Sequence, residues 1–116
     1  MEEMKIVEKE ITISELKEMS SRMYDELVKA VVDIEKGIMA VDAEMHADEE
    51  QLLLQNGSRQ QDLWGINLYP ANPMENWVEF DSMINLRPSQ GNRSRGVDDP
   101  IIQNKILAIV NSLVKR

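Results

Sequence analysis

The segment Arg87-Pro88-Ser89-Gln90-Gly91-Asn92-Arg93-Ser94-Arg95-Gly96 gathers three of the chain's six arginines within nine residues, with no acid between Asp81 and Asp98. Guanidinium forks, small amide and hydroxyl side chains, and backbone N–H groups left open by glycine are what a phosphate or carboxylate needs. The segment also leads into a helix N-terminus, where partial positive charge favours anions. It is therefore a candidate anion-binding loop, with Arg87, Ser89, Gln90, Asn92, Arg93, Ser94 and Arg95 as its donors. Two features oppose this reading. Asp98 and Asp99 compete for the same positive potential, and the glycines match neither the phosphate-loop nor the dinucleotide fingerprint. The plainer alternative is that these arginines pair with acids of the rest of the molecule or of a symmetry mate.

A second constellation depends on strand alternation. Asp33 and Glu35, Asp42 and Glu44, and Glu79 and Asp81 fall on one face of two expected hairpins, pointing away from the helices, and Asn67 and Asn85 join them. Carboxylates a few ångströms apart can bind Mg²⁺ or Mn²⁺ through oxygen, or hold one acid at a raised pKa for general acid–base work. The metal-ligand candidates are Asp33, Asp42, Glu44, His46 and Asp81. A solvated sheet face explains the same residues without a ligand, and a lone histidine before a helix is commonly a cap or a surface residue. Val31, Ile38, Tyr69, Trp77 and Met83 fall on this same face, and mixed with its charges they would make a surface for a second copy or a protein partner. The eight methionines read mainly as packing residues.

Composition narrows the classes. At 116 residues, 42% hydrophobic and 29% charged, the chain has the size and apolar content of one folded domain with one core. There is no apolar run of the roughly 20 residues that a membrane span needs. The start, Met1-Glu2-Glu3-Met4-Lys5, lacks the basic and apolar stretches of a secretory signal, so a cytoplasmic location is expected. Absence of cysteine removes disulfides and thiolate chemistry, and a single histidine removes a multi-histidine zinc site within one chain. The net charge of −8 disfavours general nucleic-acid or anionic-membrane binding. That charge is uneven: residues 1–58 hold 15 acids and 6 bases, residues 59–116 hold 6 acids and 7 bases. An anion site therefore belongs in the second half.

The elements that would position these residues can be read in order. Lys5 to Glu10 suits a short, charged edge strand. Thr12 and Glu15 have capping-box spacing, with Ile11 and Leu16 as the hydrophobic staple, and Ile13, Leu16, Met19, Met23 and Leu27 make one helical stripe. Residues 30–43 fit a hairpin turning at Lys36-Gly37, with Ala30, Val32, Ile34, Met39, Val41 and Ala43 on one face. A continuation of the first helix to a Gly37 cap is the competing reading, and the β-branched residues favour the hairpin. A short helix fits Asp48 to Gln55, stopped at Asn56-Gly57. Leu63 to Tyr69 and Trp77 to Leu86 alternate as strands. A last helix runs from Pro100 to about Val114 with Asp99 as N-cap, and its apolar arc, widened by Ile101, Leu107 and Val114, is broad enough to meet a second subunit. The expected fold is α+β: an antiparallel sheet of four or five strands with helices packed on one face.

Asp33-Ile34-Glu35-Lys36-Gly37-Ile38-Met39-Ala40-Val41-Asp42-Ala43-Glu44, Asp62-Leu63-Trp64-Gly65-Ile66-Asn67-Leu68-Tyr69-Pro70 and the stretch from Phe80 to Val97 together resemble a family of small prokaryotic proteins catalogued as a domain of unknown function. The resemblance covers nearly the whole chain, and the run Asn85 to Gly96 is its most distinctive part. It implies a prokaryotic, cytoplasmic setting and carries over no catalytic residues. The functional expectation from the residues is a noncatalytic binding or regulatory module, self-associating, whose Arg87–Arg95 loop meets a small anionic ligand or an acidic protein partner, with no cofactor. The alternative is a divalent-metal-dependent hydrolase or nuclease-like enzyme that uses the acidic sheet face.

Overall fold

The computed structural model describes residues 4–23 and 26–116. The chain begins with β1 (Lys5–Val7) and β2 (Ile11–Thr12), then α1 (Ile13–Ser20). The capping box forms as expected: the Thr12 hydroxyl accepts from the Glu15 N–H at 3.1 Å, and the Glu15 carboxylate accepts from the Thr12 N–H at 3.4 Å. The helix ends sooner than its apolar stripe suggests. Ser20 and Ser21 donate their hydroxyls to the carbonyls of Lys17 and Glu18, at 2.9 and 2.7 Å, and such bonds compete with helix continuation. Met23 and Leu27 of the expected stripe fall beyond the end of α1, and residues 24 and 25 between them lie outside the described residues.

A hairpin follows, made of β3 (Val28–Asp33) and β4 (Ile38–Ala43), with Gly37 at φ +70° in its turn. Asp33 anchors the turn by accepting the N–H groups of Glu35 and Lys36, both at 2.9 Å. Val32 faces Met39 and Ala30 faces Val41, as alternation predicts. A bulge then places Lys29 opposite Ala43 and leaves Asp42 at φ +74°. The extra residue moves Ala43 to the other face of the sheet, which corrects its expected place beside Val41. After α2 (His46–Gln55) come β5 (Leu63–Leu68), β6 (Val78–Glu79), α3 (Pro100–Leu113) and β7 (Val114–Lys115).

The main sheet is antiparallel throughout, in the order β1-β4-β3-β5-β6, and β2 pairs with β7 in a separate parallel ladder. This is the α+β architecture expected. The helices, however, divide between the two faces. α1 and α3 bury Leu16, Met19, Ile106 and Val110 against Ala30, Val32, Val41 and Ile66, while α2 buries Leu53 against Val31, Ala40 and Leu63 on the opposite face. β4 and β5 are buried at every position, as strands covered on both sides are. No described helix is long and apolar enough to cross a membrane.

The second expected hairpin strand is also shorter. β6 stops at Glu79, and Met83–Asn85 forms a 3-10 turn whose start is capped by the Ser82 hydroxyl, which accepts the Ile84 N–H at 3.2 Å. The Asn85 side chain takes over the pairing that a strand would provide. Its Oδ1 accepts the Gly65 N–H at 2.8 Å and its Nδ2 donates to the Gly65 carbonyl at 3.0 Å. In α3, the Asp99 carboxylate accepts the Ile101 N–H at 2.9 Å; Ile101 itself is exposed and Leu107 half-buried.

Candidate functional site

The 87–96 loop is organised mostly by internal bonds. Arg87 is buried over the Trp64 ring, 4.2 Å from its centroid, and donates to the carbonyls of Gln60 and Leu63. Asn92 is also buried. Its Nδ2 donates to the carbonyls of Asn85, Ser94 and Gly96, and its Oδ1 accepts the Asp98 N–H. The loop already binds a carboxylate of its own at the surface: exposed Asp98 accepts the Arg93 N–H at 2.8 Å and the Ser94 hydroxyl at 2.6 Å. Those two bonds hold its carboxyl below the usual range. Ser89, Gln90 and Arg93 are exposed. Arg95 reaches away from the loop core, and its Nε donates to Asp81 Oδ1 at 2.8 Å.

The five metal-ligand candidates are dispersed. Asp33 is buried at the hairpin turn, where it also accepts the Ser58 hydroxyl at 2.6 Å. Asp42 sits on the bulge and meets Arg22 Nη2 at 3.2 Å, and Glu44 is exposed. Only His46 and Asp81 line the same cleft. Among the described residues no three His, Cys, Asp or Glu side chains come together as a metal-holding group.

That cleft, about 450 Å³, opens between the N-terminus of α2, the β3-β5-β6 part of the sheet and the segment after β6. Strand register explains its floor. Lys29 faces Asn67, and Asn67 faces Glu79, so a cation, an amide and a carboxylate form a row across three strands on the α2 face. Asn67 Nδ2 donates to Glu79 Oε1 at 2.8 Å, and the Tyr69 hydroxyl donates to the same oxygen at 3.1 Å. One wall is made possible by Gly65. A Cβ there would lie 2.6 Å from Ser82 Cβ and Oγ and 3.2 Å from His46 Cδ2, so only glycine lets both side chains press against the sheet.

His46 Nε2 is 2.8 Å from the Ile66 carbonyl oxygen. Burial lowers the pKa of the ring and Lys29 adds to that, while the Ile66 bond, Asp81 and Asn67 pull the other way. Lys29 is half-buried, and neither an ion pair nor a hydrogen bond joins its ammonium to another described residue. Arg95 commits Nε alone, leaving Nη1 and Nη2 without a partner among the described residues. The N-terminus of α2 lacks a side-chain cap, since Met45 stands at the N-cap, and Met45, His46 and Ala47 all line the cleft. The Lys29 ammonium, the open terminal nitrogens of an Arg95 already paired with Asp81, and an uncapped helix start therefore line one space, an arrangement suited to an anion.

Of the cleft residues, His46 and Asp81 were expected as metal ligands, Arg95 as a donor of the 87–96 loop, and Asn67 and Glu79 on the polar face. Lys29 and Ser82 were missed. The signal for Lys29 was present: it is the one charged residue between Val28 and Val32, sharing alternation with Val31 and Asp33.

An α+β domain with a polar, partly cationic cleft beside a helix N-terminus is the class that this geometry defines. Residues 5–113 match the model of the family described as protein of unknown function DUF5674, and the chain belongs to that family. No curated protein and no solved structure matches the chain.

Proposed function

We propose that this domain is a noncatalytic binding module that takes a small anionic ligand in the cleft between Lys29, Arg95 and the N-terminus of α2. The observation that carries the reading is Lys29, a half-buried residue lining a polar cleft, whose ammonium has no hydrogen bond or ion pair with a described residue. A bound carboxylate or phosphate would give that cation a charge-assisted partner. The free terminal nitrogens of Arg95 and the uncapped start of α2 supply further donors for the same group.

Of the arginine-rich loop, only Arg95 contributes directly to this reading. Arg87 and Asn92 act in holding the loop, and Asp98 occupies the Arg93 N–H and the Ser94 hydroxyl. Calorimetric titration with inorganic phosphate, short carboxylates and nucleotides tests the proposal. Saturable binding by one of these classes that weakens about tenfold or more in Lys29→Ala supports it. Binding that is indifferent to both Lys29→Ala and Arg95→Ala counts against it.

A further inference from the structure

The cleft is not uniformly cationic, and its remaining charges point to a more specific ligand. Asp81 and Arg95 satisfy one another through Oδ1 and Nε. Of the floor residues, Lys29 is left as an unpaired cation on β3, and Glu79 stands as an anion on β6 without a cationic partner among the described residues. Asn67 lies between them in register, so their Cα atoms are two strand spacings apart, about 10 Å. Glu79 Oε1 is saturated by Asn67 Nδ2 and the Tyr69 hydroxyl, which fixes the carboxylate in place. Its Oε2 accepts nothing from the described residues and stays available, as does Oδ2 of neighbouring Asp81.

A ligand that is only anionic satisfies Lys29, Arg95 and the α2 N-terminus but sets its charge close to two carboxylates. One that also carries an ammonium group places that charge against Glu79 Oε2 and Asp81 Oδ2, where each N–H finds an ionised acceptor. The Asn67 amide supports this polarity, since both interactions of its Nδ2 run towards the acidic side, to Glu79 Oε1 at 2.8 Å and the Asp81 carbonyl at 3.4 Å. We infer that the ligand is a small zwitterion, with its anionic group at Lys29 and the α2 N-terminus and its ammonium group at Glu79 and Asp81. This rests on the anion-site reading and deepens it. A free amino acid and a phosphorylated amine share the required chemistry.

Matched pairs of ligands separate the possibilities. The full chain is titrated by calorimetry with phosphoethanolamine and ethyl phosphate, then with γ-aminobutyrate and butyrate. The expected result is that, in one pair, the member with the ammonium group binds about tenfold tighter. The pair that shows it identifies the anion as phosphate or carboxylate. Glu79→Gln keeps an acceptor for Asn67 and Tyr69 while removing the charge, and should bring the two members of that pair to within about twofold. Equal affinities within both pairs in the wild-type protein overturn the zwitterion inference and leave the anion site standing. No binding by any of the four overturns both.

Discussion

The imidazole of His46 and the carbonyl of Ile66 are joined by a 2.8 Å hydrogen bond, and since a carbonyl only accepts, Nε2 must carry the proton. Burial lowers the pKa of the ring from its ordinary value, which favours the uncharged form. In the uncharged ring Nδ1 is then the lone-pair nitrogen.

His46 should therefore titrate below its ordinary value, with the Nε2–H tautomer at pH 7.5. A group whose folded pKa is depressed stabilises the fold above its unfolded pKa. That stability should be fully present above about pH 6.5 and be lost as pH falls through the folded pKa. Nitrogen-15 spectra of the ring across pH 4–8 measure both. A midpoint above 6.5, or an Nδ1–H tautomer, contradicts the assignment.

Glu49 gives pH dependence of the opposite sign. It is a fully buried residue of α2 whose Oε2 accepts the Ala43 N–H at 3.0 Å and whose Oε1 has no partner among the described residues. Burial pushes its carboxyl well above 4.5, against opposing effects of the Ala43 bond and Lys29. With a raised folded pKa, its contribution is greatest below about pH 4.5 and declines as pH rises through the folded value. Glu49→Gln should be more stable than wild type at pH 8 by about 1–3 kcal/mol, with the difference shrinking towards pH 5. Urea denaturation at the two pH values measures this; an unchanged difference between them contradicts it.

Asn85 substitutes for a length of β-strand, so its loss should be costly. Asn85→Ala leaves the buried Gly65 N–H and carbonyl without their partner and also frees the Arg95 carbonyl from the Asn85 Nδ2 at 2.9 Å. Destabilisation of about 2–4 kcal/mol is expected, from the cost of unsatisfied buried polar groups. A loss under about 0.5 kcal/mol in a denaturation midpoint series would show that the side chain is not holding the segment.

Gly65→Ala should damage the cleft and the fold together. The new Cβ meets Ser82 at 2.6 Å, and Ser82 is fixed through its backbone to the Arg95 carbonyl at 2.9 Å. About 1–3 kcal/mol of destabilisation is expected, with amide shifts at Ser82 and His46. Wild-type stability with unmoved amides at both residues would contradict the close packing.

Much of the fold was legible because local signals and burial agreed. Thr12 and Glu15 marked α1, Lys36-Gly37 marked the hairpin, and Asp99-Pro100 marked α3. The bulge at Asp42 was not legible, because its cause is tertiary: Arg22 pairs with the Asp42 carboxylate, and Glu49 holds the next N–H. Nor was the end of β6, where Phe80, Ile84 and Leu86 alternate as in a strand but the Asn85 amide replaces the backbone ladder. The parallel pairing of Ile11 with Val114 joins opposite ends of the chain, and nothing in local periodicity encodes it. The site divided in the same way. Residue type identified the arginine-rich loop, but only the fold shows that Asp98 takes the Arg93 N–H and the Ser94 hydroxyl and that Arg95 turns to Asp81.

The most direct test of the proposed binding site is a backbone amide NMR titration of the whole chain with inorganic phosphate, repeated with acetate. The expected result is saturable shifts in at least one series, centred on Lys29, the first turn of α2 from His46, and Arg95. Lys29→Ala should abolish them. Shifts confined to Arg93, Ser94 and Asp98, or no saturable shift in either series, would contradict an anion site in the cleft.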